Sequence, residues 1–156
     1  MYVVMSNNAE NEFLYPVVKG ALQTLVSLET SNVPPTNLSQ LVVFVALLQG
    51  SREVEGGAID TERVLKMVPY ARSTVGRILG EFIESGLFEE IIDKRDRRRR
   101  ILRQTQMGTD RSIEIASLFL EPITESFGAD LLMELKGRWE EHKHSKSNSG
   151  GSSSTV

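Results

Sequence analysis

A mainly α-helical fold carrying one small β-hairpin is what this sequence predicts, and three observations predict it. Most apolar residues recur at helical spacing. Two short apolar-rich runs, residues 87–92 and 101–106, flank a polar, arginine-dense tip, as the strands of a hairpin do. Capping and breaking residues, among them Asn37, Asp60, Pro69 and Gly86, fall between the periodic stretches and not within them.

The elements follow in order. Residues 1–12 are expected to form a flexible N-terminus. From Phe13 a helical stripe runs through Leu14, Val17, Val18, Ala21, Leu22, Leu25, Val26 and Leu28, with Pro16 in its first turn, where a missing N–H costs little. The "VPP" at residues 33–35 ends it. Thr36 or Asn37 caps a second helix through "LSQLVVFVALLQG", apolar nearly all round and therefore buried, stopping at Gly50. "SREVEGG" is a polar loop. Asp60 caps a third helix that ends at Val68 before Pro69.

After a tight connection, residues 72–86 form a fourth helix. Val75, Ile78, Leu79, Phe82 and Ile83 make its inner face, and Gly86 is the left-handed residue that ends it. "LFEEII" and "ILRQTQ" are the strands of the hairpin. Thr109 or Asp110 then caps a long helical stretch that Pro122 kinks or breaks. Gly128 marks a further break before "ADLLMELKGRWEEHK". The Ser/Gly-rich residues 145–156 read as a disordered tail.

Composition narrows the function. The 156 residues carry a net charge of −3 and no cysteine, which excludes disulfides, thiolate metal sites and cysteine nucleophiles. The longest apolar run, "LVVFVALL", is far short of the roughly 20 residues that span a bilayer. With no basic segment ahead of the N-terminal apolar patch, a cytoplasmic protein is expected. The charge is unevenly spread. Residues 93–103 hold seven basic and two acidic side chains, a local +5 within a chain of net −3, which leaves −8 on the remainder. A basic island on an acidic body is an electrostatic address for an anionic partner.

Helix, short turn, helix and basic hairpin together make a winged helix-turn-helix, flanked here by N- and C-terminal helices. Its shape suits duplex DNA. A helix fits the major groove, its N-terminal residues reach base edges, and its free N–H groups favour phosphate.

The stretch "STVGRILGEFIESGLFEEIIDKRDRRRRILRQTQMG", residues 73–108, resembles the core of the multiple antibiotic resistance regulator (MarR) family. That pattern is a recognition helix closed by Gly86-Leu87, a wing with Asp-x-Arg at Asp96, Arg97 and Arg98, and a Thr-x-x-Gly turn at Thr105 to Gly108. The likeness extends over residues 38–110. Gln104 departs from the family's usual leucine, and four consecutive arginines exceed its usual wing.

The resemblance assigns roles. Arg98 is the wing arginine directed to the minor groove, and Asp96 holds it, either through the guanidinium or by capping the turn at backbone N–H groups. From the residues themselves, Arg72 and Arg77 suit guanine contacts. Ser73 and Thr74 suit phosphates or a helix cap. Arg95 and Arg97 suit phosphates. Arg99, Arg100 or Arg103 has the alternative of pairing with Glu89 or Glu90 across the hairpin. Gly76 and Gly80 fit either close approach to DNA or close packing on a neighbouring helix.

The outer helices carry broad apolar faces: Leu14, Val18, Leu22 and Leu25 at one end, Ile115, Phe119, Leu131, Leu135 and Trp139 at the other. The resemblance implies that these interlock in a homodimer, which would read a pseudo-palindromic operator. Residues 13–35 would then be an N-terminal dimerisation helix and linker, 36–108 the DNA-binding domain and 109–144 the C-terminal dimerisation helices. The resemblance also implies an effector, a small aromatic or anionic molecule bound between the dimer helices and the DNA-binding lobe. No catalytic pattern, cofactor motif or membrane segment is expected. The pair His142 and His144 lacks the further ligands of a metal site. Two other uses of the fold stand beside a transcriptional regulator that represses sterically: a protein-interaction module, and a replication or partition protein.

Overall fold

The computed structural model of the chain describes residues 6–128, with residues 130, 133, 134 and 137 beyond them. The elements are α1 (Ser6–Thr30), α2 (Leu38–Glu53), β1 (Ala58–Asp60), α3 (Thr61–Met67), α4 (Arg72–Glu84), β2 (Phe88–Ile92), β3 (Arg100–Gln104) and α5 (Gln106–Phe127). They fall into two compact units. One is Ala21–Leu118. The other comprises the described residues of Met1–Gly20 and Phe119–Val156.

In the larger unit, local chemistry sets the helix starts. The Asn37 side chain accepts the Gln40 N–H at 3.0 Å and caps α2. Gln40 answers through its own side-chain oxygen, which accepts the Thr36 N–H at 2.6 Å. This reciprocal pairing satisfies two backbone donors at the helix start. Asp60 caps α3 by accepting the Glu62 N–H at 3.0 Å. The helix α4 begins at Arg72 with no side-chain cap, because Ala71 occupies the capping position. The cap reading of Ser73 is therefore overturned. Gly86 ends the helix at φ 78°, a conformation that side chains with a Cβ rarely adopt.

The hairpin is part of a three-stranded antiparallel sheet in the order β1-β3-β2. The short β1 is a strand that the sequence does not announce. It pairs with β3 at Ala58–Arg103, Ile59–Leu102 and Asp60–Ile101. In the hairpin itself the register runs from Phe88–Gln104 to Ile92–Arg100. Three elements then meet in one core. Phe44 of α2, Phe82 of α4 and Phe88 of β2 form an edge-on aromatic cluster, with Phe44 5.7 Å and 5.8 Å from the other two. Val43, Leu47, Ile59, Val64, Ile78 and Leu102 close around them with no exposed surface. Gly50 lets β1 approach α2: a Cβ there would lie 1.9 Å from Ile59 Cδ1. The helix nevertheless runs past the expected stop at Gly50, to Glu53.

The start of α5 was placed at Thr109 or Asp110. It lies earlier, because the Thr105 hydroxyl accepts the Gly108 N–H at 3.1 Å and donates to the Gly86 carbonyl at 2.5 Å. Gly108 sits so close to the Leu87 carbonyl that a Cβ would come within 2.1 Å of its oxygen. Further along α5, Arg111 is buried. Its guanidinium reaches the carbonyls of Val33 (3.1 Å), Pro34 (3.3 Å) and Pro35 (3.3 Å), the Ser31 hydroxyl and Glu114. It thereby satisfies the backbone of the α1–α2 loop, which proline leaves without helical partners.

In the smaller unit, α5 continues through Pro122 to Phe127 without the expected break. Pro16 lies well inside α1 and not in its first turn, because the helix starts at Ser6 and not at Phe13. Part of the segment expected to be flexible is therefore helical. Gly20 brings the two helices together: a Cβ there would meet the Phe119 carbonyl oxygen at 2.2 Å.

Candidate nucleic-acid interface

One exposed face carries the N-terminal half of α4 and the wing. On α4, Ser73 is exposed and Thr74 half-buried. Gly76 and Gly80 face open space, since a Cβ at either would have nothing within 4 Å. This removes the helix-packing reading of both glycines. Along this surface the backbone of α4 is nearly bare, and its uncapped N-terminus presents positive partial charge.

The two arginines of α4 are already paired. Arg72 lies end-on against Glu62 of α3, with its Nη2 donating to Glu62 Oε2 at 3.0 Å and its Nη1 donating to Oε1. That bond holds the Glu62 carboxyl below its ordinary value and raises the Arg72 guanidinium above its own. Arg77 donates to Glu81 at 2.6 Å one turn along. The other oxygen of Glu81 accepts from the Gln40 side chain.

The wing is shaped by its aspartates. Asp93 Oδ1 accepts the Arg95 N–H at 2.8 Å and Asp96 Oδ1 accepts the Arg98 N–H at 3.0 Å. Two successive side-chain-capped turns result, and the Asp96 carbonyl closes the second by accepting the Arg99 N–H at 3.1 Å. Asp96 therefore caps the turn and does not hold the Arg98 guanidinium.

The arginine run divides into distinct roles. Arg103 bonds Glu89 at 2.8 Å and Arg100 pairs with Glu90 at 3.2 Å, both across the hairpin. Arg99 does neither. It donates to Asp60 through Nε at 2.9 Å and to Asp93 through Nη1 at 3.3 Å. Burial pushes the Asp60 carboxyl up, but the Glu62 N–H and the Arg99 guanidinium outweigh it and hold it below its ordinary value. The guanidinium of Arg99 is raised, chiefly by its bond to Asp60. Lys94, Arg95, Arg97 and Arg98 stay exposed, and their side chains have no partner among the described residues. A cleft of about 320 Å³ separates α3 and α4 from the wing and is lined by Glu62, Arg72, Gly76, Arg98 and Arg99. The sequence points to Arg72, Ser73, Thr74, Arg77, Arg95, Arg97, Arg98 and Asp96 as candidates, but not to Glu62, Asp93 and Asp60 as the partners of Arg72, of the Arg95 N–H and of Arg99. Only Asp93, two residues before Arg95 as Asp96 is before Arg98, left a local signal.

The apolar face of α1 points outward. Leu14, Val18 and Leu22 are 52%, 63% and 61% exposed, far more than a helix buried within its own chain would leave. Leu25 and Val26 are exposed as well, and among the α1 residues whose burial is described Pro16, Gly20, Thr24 and Leu28 are buried. On α5, Ile115 packs partly against the core of the larger unit and Phe119 is half-buried. Leu131, Leu135, Trp139, His142 and His144 lie outside the described residues. Among the described residues, no helix is long and apolar enough to cross a membrane, and no cluster of acidic or histidine side chains is arranged to hold a metal.

No family model and no curated protein matches the sequence. Solved structures do match the fold. The MepR–DNA complex from S. aureus is similar over 83% of this chain and 97% of its own, at 18% identity and a TM-score of 0.53. YusO from Bacillus subtilis is similar over 93% and 95%, at 16% identity and a TM-score of 0.57. Sco3205, a MarR family transcriptional regulator from Streptomyces coelicolor solved in complex with DNA, is similar over 99% and 94%, at 12% identity and a TM-score of 0.51. At these identities it is the architecture that is shared: the chain has the winged helix-turn-helix fold, with flanking helices, of these solved proteins.

Proposed function

We propose that the chain is a double-stranded DNA-binding transcriptional regulator that acts as a homodimer. The observation that carries this reading is the pairing, on one exposed face, of a bare-backed helix α4 with a wing tip whose Arg95, Arg97 and Arg98 are exposed and without side-chain partners among the described residues. Residues 36–108 form the DNA-binding part. The helix α4 enters the major groove with Arg72, Ser73, Thr74 and Arg77 toward bases and phosphates, and the wing lies on the minor groove or backbone. That MepR and Sco3205 are solved in complexes with DNA supports the same use of the shared fold.

The homodimer rests on the exposed stripe of α1. Leu14, Val18, Leu22 and Leu25 form an apolar band that a second copy would cover, with residues 13–35 and 109–144 as the dimerisation helices. A two-fold dimer reads a pseudo-palindrome with half-sites about 10 base pairs apart or a multiple of that. Bound at a promoter, it blocks polymerase sterically and so represses.

The test is genome-wide recovery of bound DNA with the Arg98→Ala variant as control. Enrichment of a palindrome at promoters, lost in the variant, is the expected result. Iterated sites at one locus would mean a replication or partition role, and no enrichment would mean a protein-interaction module.

A further inference from the structure

We propose that Arg99 is a positioning residue: its guanidinium is a clasp between Asp60 and Asp93 that sets where the wing stands against the helix-turn-helix, so that its neighbour Arg98 is presented to the duplex. In the sequence the four arginines 97–100 form one unbroken run. The structure gives Arg99 a different task from the others.

The geometry is specific to a guanidinium. Nε and Nη2 both donate to Asp60 Oδ2, at 2.9 Å and 2.7 Å, while Nη1 reaches Asp93 Oδ2 at 3.3 Å. One planar fork thus engages two carboxylates, which a lysine ammonium does not reproduce. Each carboxylate divides its work in the same way. Asp60 Oδ1 caps α3 and Oδ2 takes Arg99. Asp93 Oδ1 caps the turn at Arg95 and Oδ2 takes Arg99. The clasp therefore joins the first turn of the helix-turn-helix to the first turn of the wing through backbone-anchored groups. Asp60 and Asp93 are 21% and 13% exposed while Arg99 is 49% exposed, so only the carboxylate side of the contact is shielded from solvent.

Its place in the sheet gives it leverage. The ladder between β1 and β3 ends at Asp60–Ile101. Arg99 lies just beyond, on the tip side, where the hairpin has no backbone pairing to β1. Past that point the clasp ties the wing to the start of α3 by hydrogen bonds. The next residue toward the tip is Arg98, whose N–H is fixed by Asp96 and whose side chain is exposed without a partner among the described residues. A rigid Arg99 and a free Arg98 side by side separate support from contact. Preorganisation of this kind lowers the ordering cost of binding.

This assignment rests on the DNA-binding reading. The test compares wild type, Arg99→Lys, Arg99→Ala and Arg98→Ala in two measurements: hydrogen exchange of the free protein, and affinity for a selected duplex across a salt series. Arg99→Lys keeps the charge but breaks the fork. It is expected to speed exchange at the Arg95 and Arg98 amides while leaving α4 unchanged, and to weaken binding about tenfold with a wild-type salt slope. Arg98→Ala is expected to lower the slope by about 1. If Arg99→Lys binds as wild type does, or if Arg99→Ala lowers the slope as Arg98→Ala does, Arg99 is a phosphate contact and the clasp role fails. Unchanged wing exchange in Arg99→Lys, beside a wild type that binds DNA, sinks the clasp alone. A wild type that binds no duplex sinks the DNA reading and the role with it, whatever the exchange shows.

Discussion

Asp96 holds Arg98 by its backbone and not by its guanidinium: the carboxylate accepts the Arg98 N–H at 3.0 Å. This makes Asp96 a turn former whose charge is secondary. Asp96→Ala removes the cap and leaves the wing more positive, so shape and charge give opposite expectations. We expect duplex affinity to fall about fivefold, in line with a lost cap of roughly 1 kcal/mol. Asp96→Asn, whose side-chain oxygen still accepts the bond, should bind close to wild type. Fluorescence anisotropy on a selected duplex checks both, and tighter binding by Asp96→Ala would mean that the run acts as charge alone.

On the proposed DNA-binding reading, Glu62 would compete with DNA for Arg72. Its carboxylate occupies both terminal nitrogens of that arginine, and it would place a negative charge on the face proposed to meet phosphate. Glu62→Gln should therefore tighten binding to a random duplex by a few-fold and narrow the gap between specific and non-specific affinity. The start of α3 stays capped, because the Asp60 bond is made to the backbone N–H of residue 62. Titration of the variant against random and selected duplexes measures the gap. An unchanged random-duplex affinity would show that Arg72 takes no part in non-specific binding.

Much of this surface was legible in the chain, and the part that was not has a physical reason. Asn37, Asp60 and Gly86 announce helix ends because caps and left-handed glycines act over a few residues. The hairpin shows itself because two short apolar-rich runs flank a polar, arginine-dense tip. The strand β1, only Ala58–Asp60, is too short to show a period, so the sheet was read one strand short. Thr105 looked like the end of a strand, although its hydroxyl starts α5. The inward side of α1 is a line of Pro16, Gly20, Thr24 and Leu28, and hydrophobicity alone points to the opposite side. Asp60 and Glu62, which meet Arg99 and Arg72, come from α3 or its cap, and nothing local marks them.

Acid should remove the contribution that the Asp60–Arg99 contact makes to stability. The Asp60 carboxyl is held below its ordinary value, so the folded state binds that proton less readily than the unfolded chain does. Its contribution to stability is then fully present above the ordinary carboxylate range and is lost as pH falls through the lowered value. Asp60→Asn retains a capping oxygen but loses the charge that Arg99 meets. Its melting temperature should lie below wild type at neutral pH and converge with it in acid. A constant difference across the pH series would assign the effect to something other than the carboxylate.

Arg111 is the buried charge that the sequence did not reveal. Arg111→Ala would leave the carbonyls of Pro34 and Pro35 without their donor and open a void beside the α1–α2 loop. A loss of roughly 3 kcal/mol is expected from unsatisfied buried acceptors and the lost side chain. Arg111→Lys should recover only part, since an ammonium does not span the same set of carbonyls. Urea denaturation reads both values, and a loss under about 1 kcal/mol would mean that water replaces the arginine without cost.

Gly76 and Gly80 separate stability from function more sharply. Each is a helix-interior glycine at which a Cβ would meet nothing within 4 Å. Alanine at either position should therefore raise stability by up to about 1 kcal/mol, the intrinsic helix preference, with no steric cost in the free protein. If α4 lies with its backbone against the duplex, the same methyl groups stand where DNA must come. Gly76→Ala and Gly80→Ala are then expected to melt higher and bind more weakly, with the double variant stronger in both directions. Gly20→Ala is the control of opposite sign, because its Cβ would collide with the Phe119 carbonyl and should lower stability without touching this face. Higher melting with unchanged DNA affinity would place the contact surface of α4 elsewhere, at the arginines of its first turns alone.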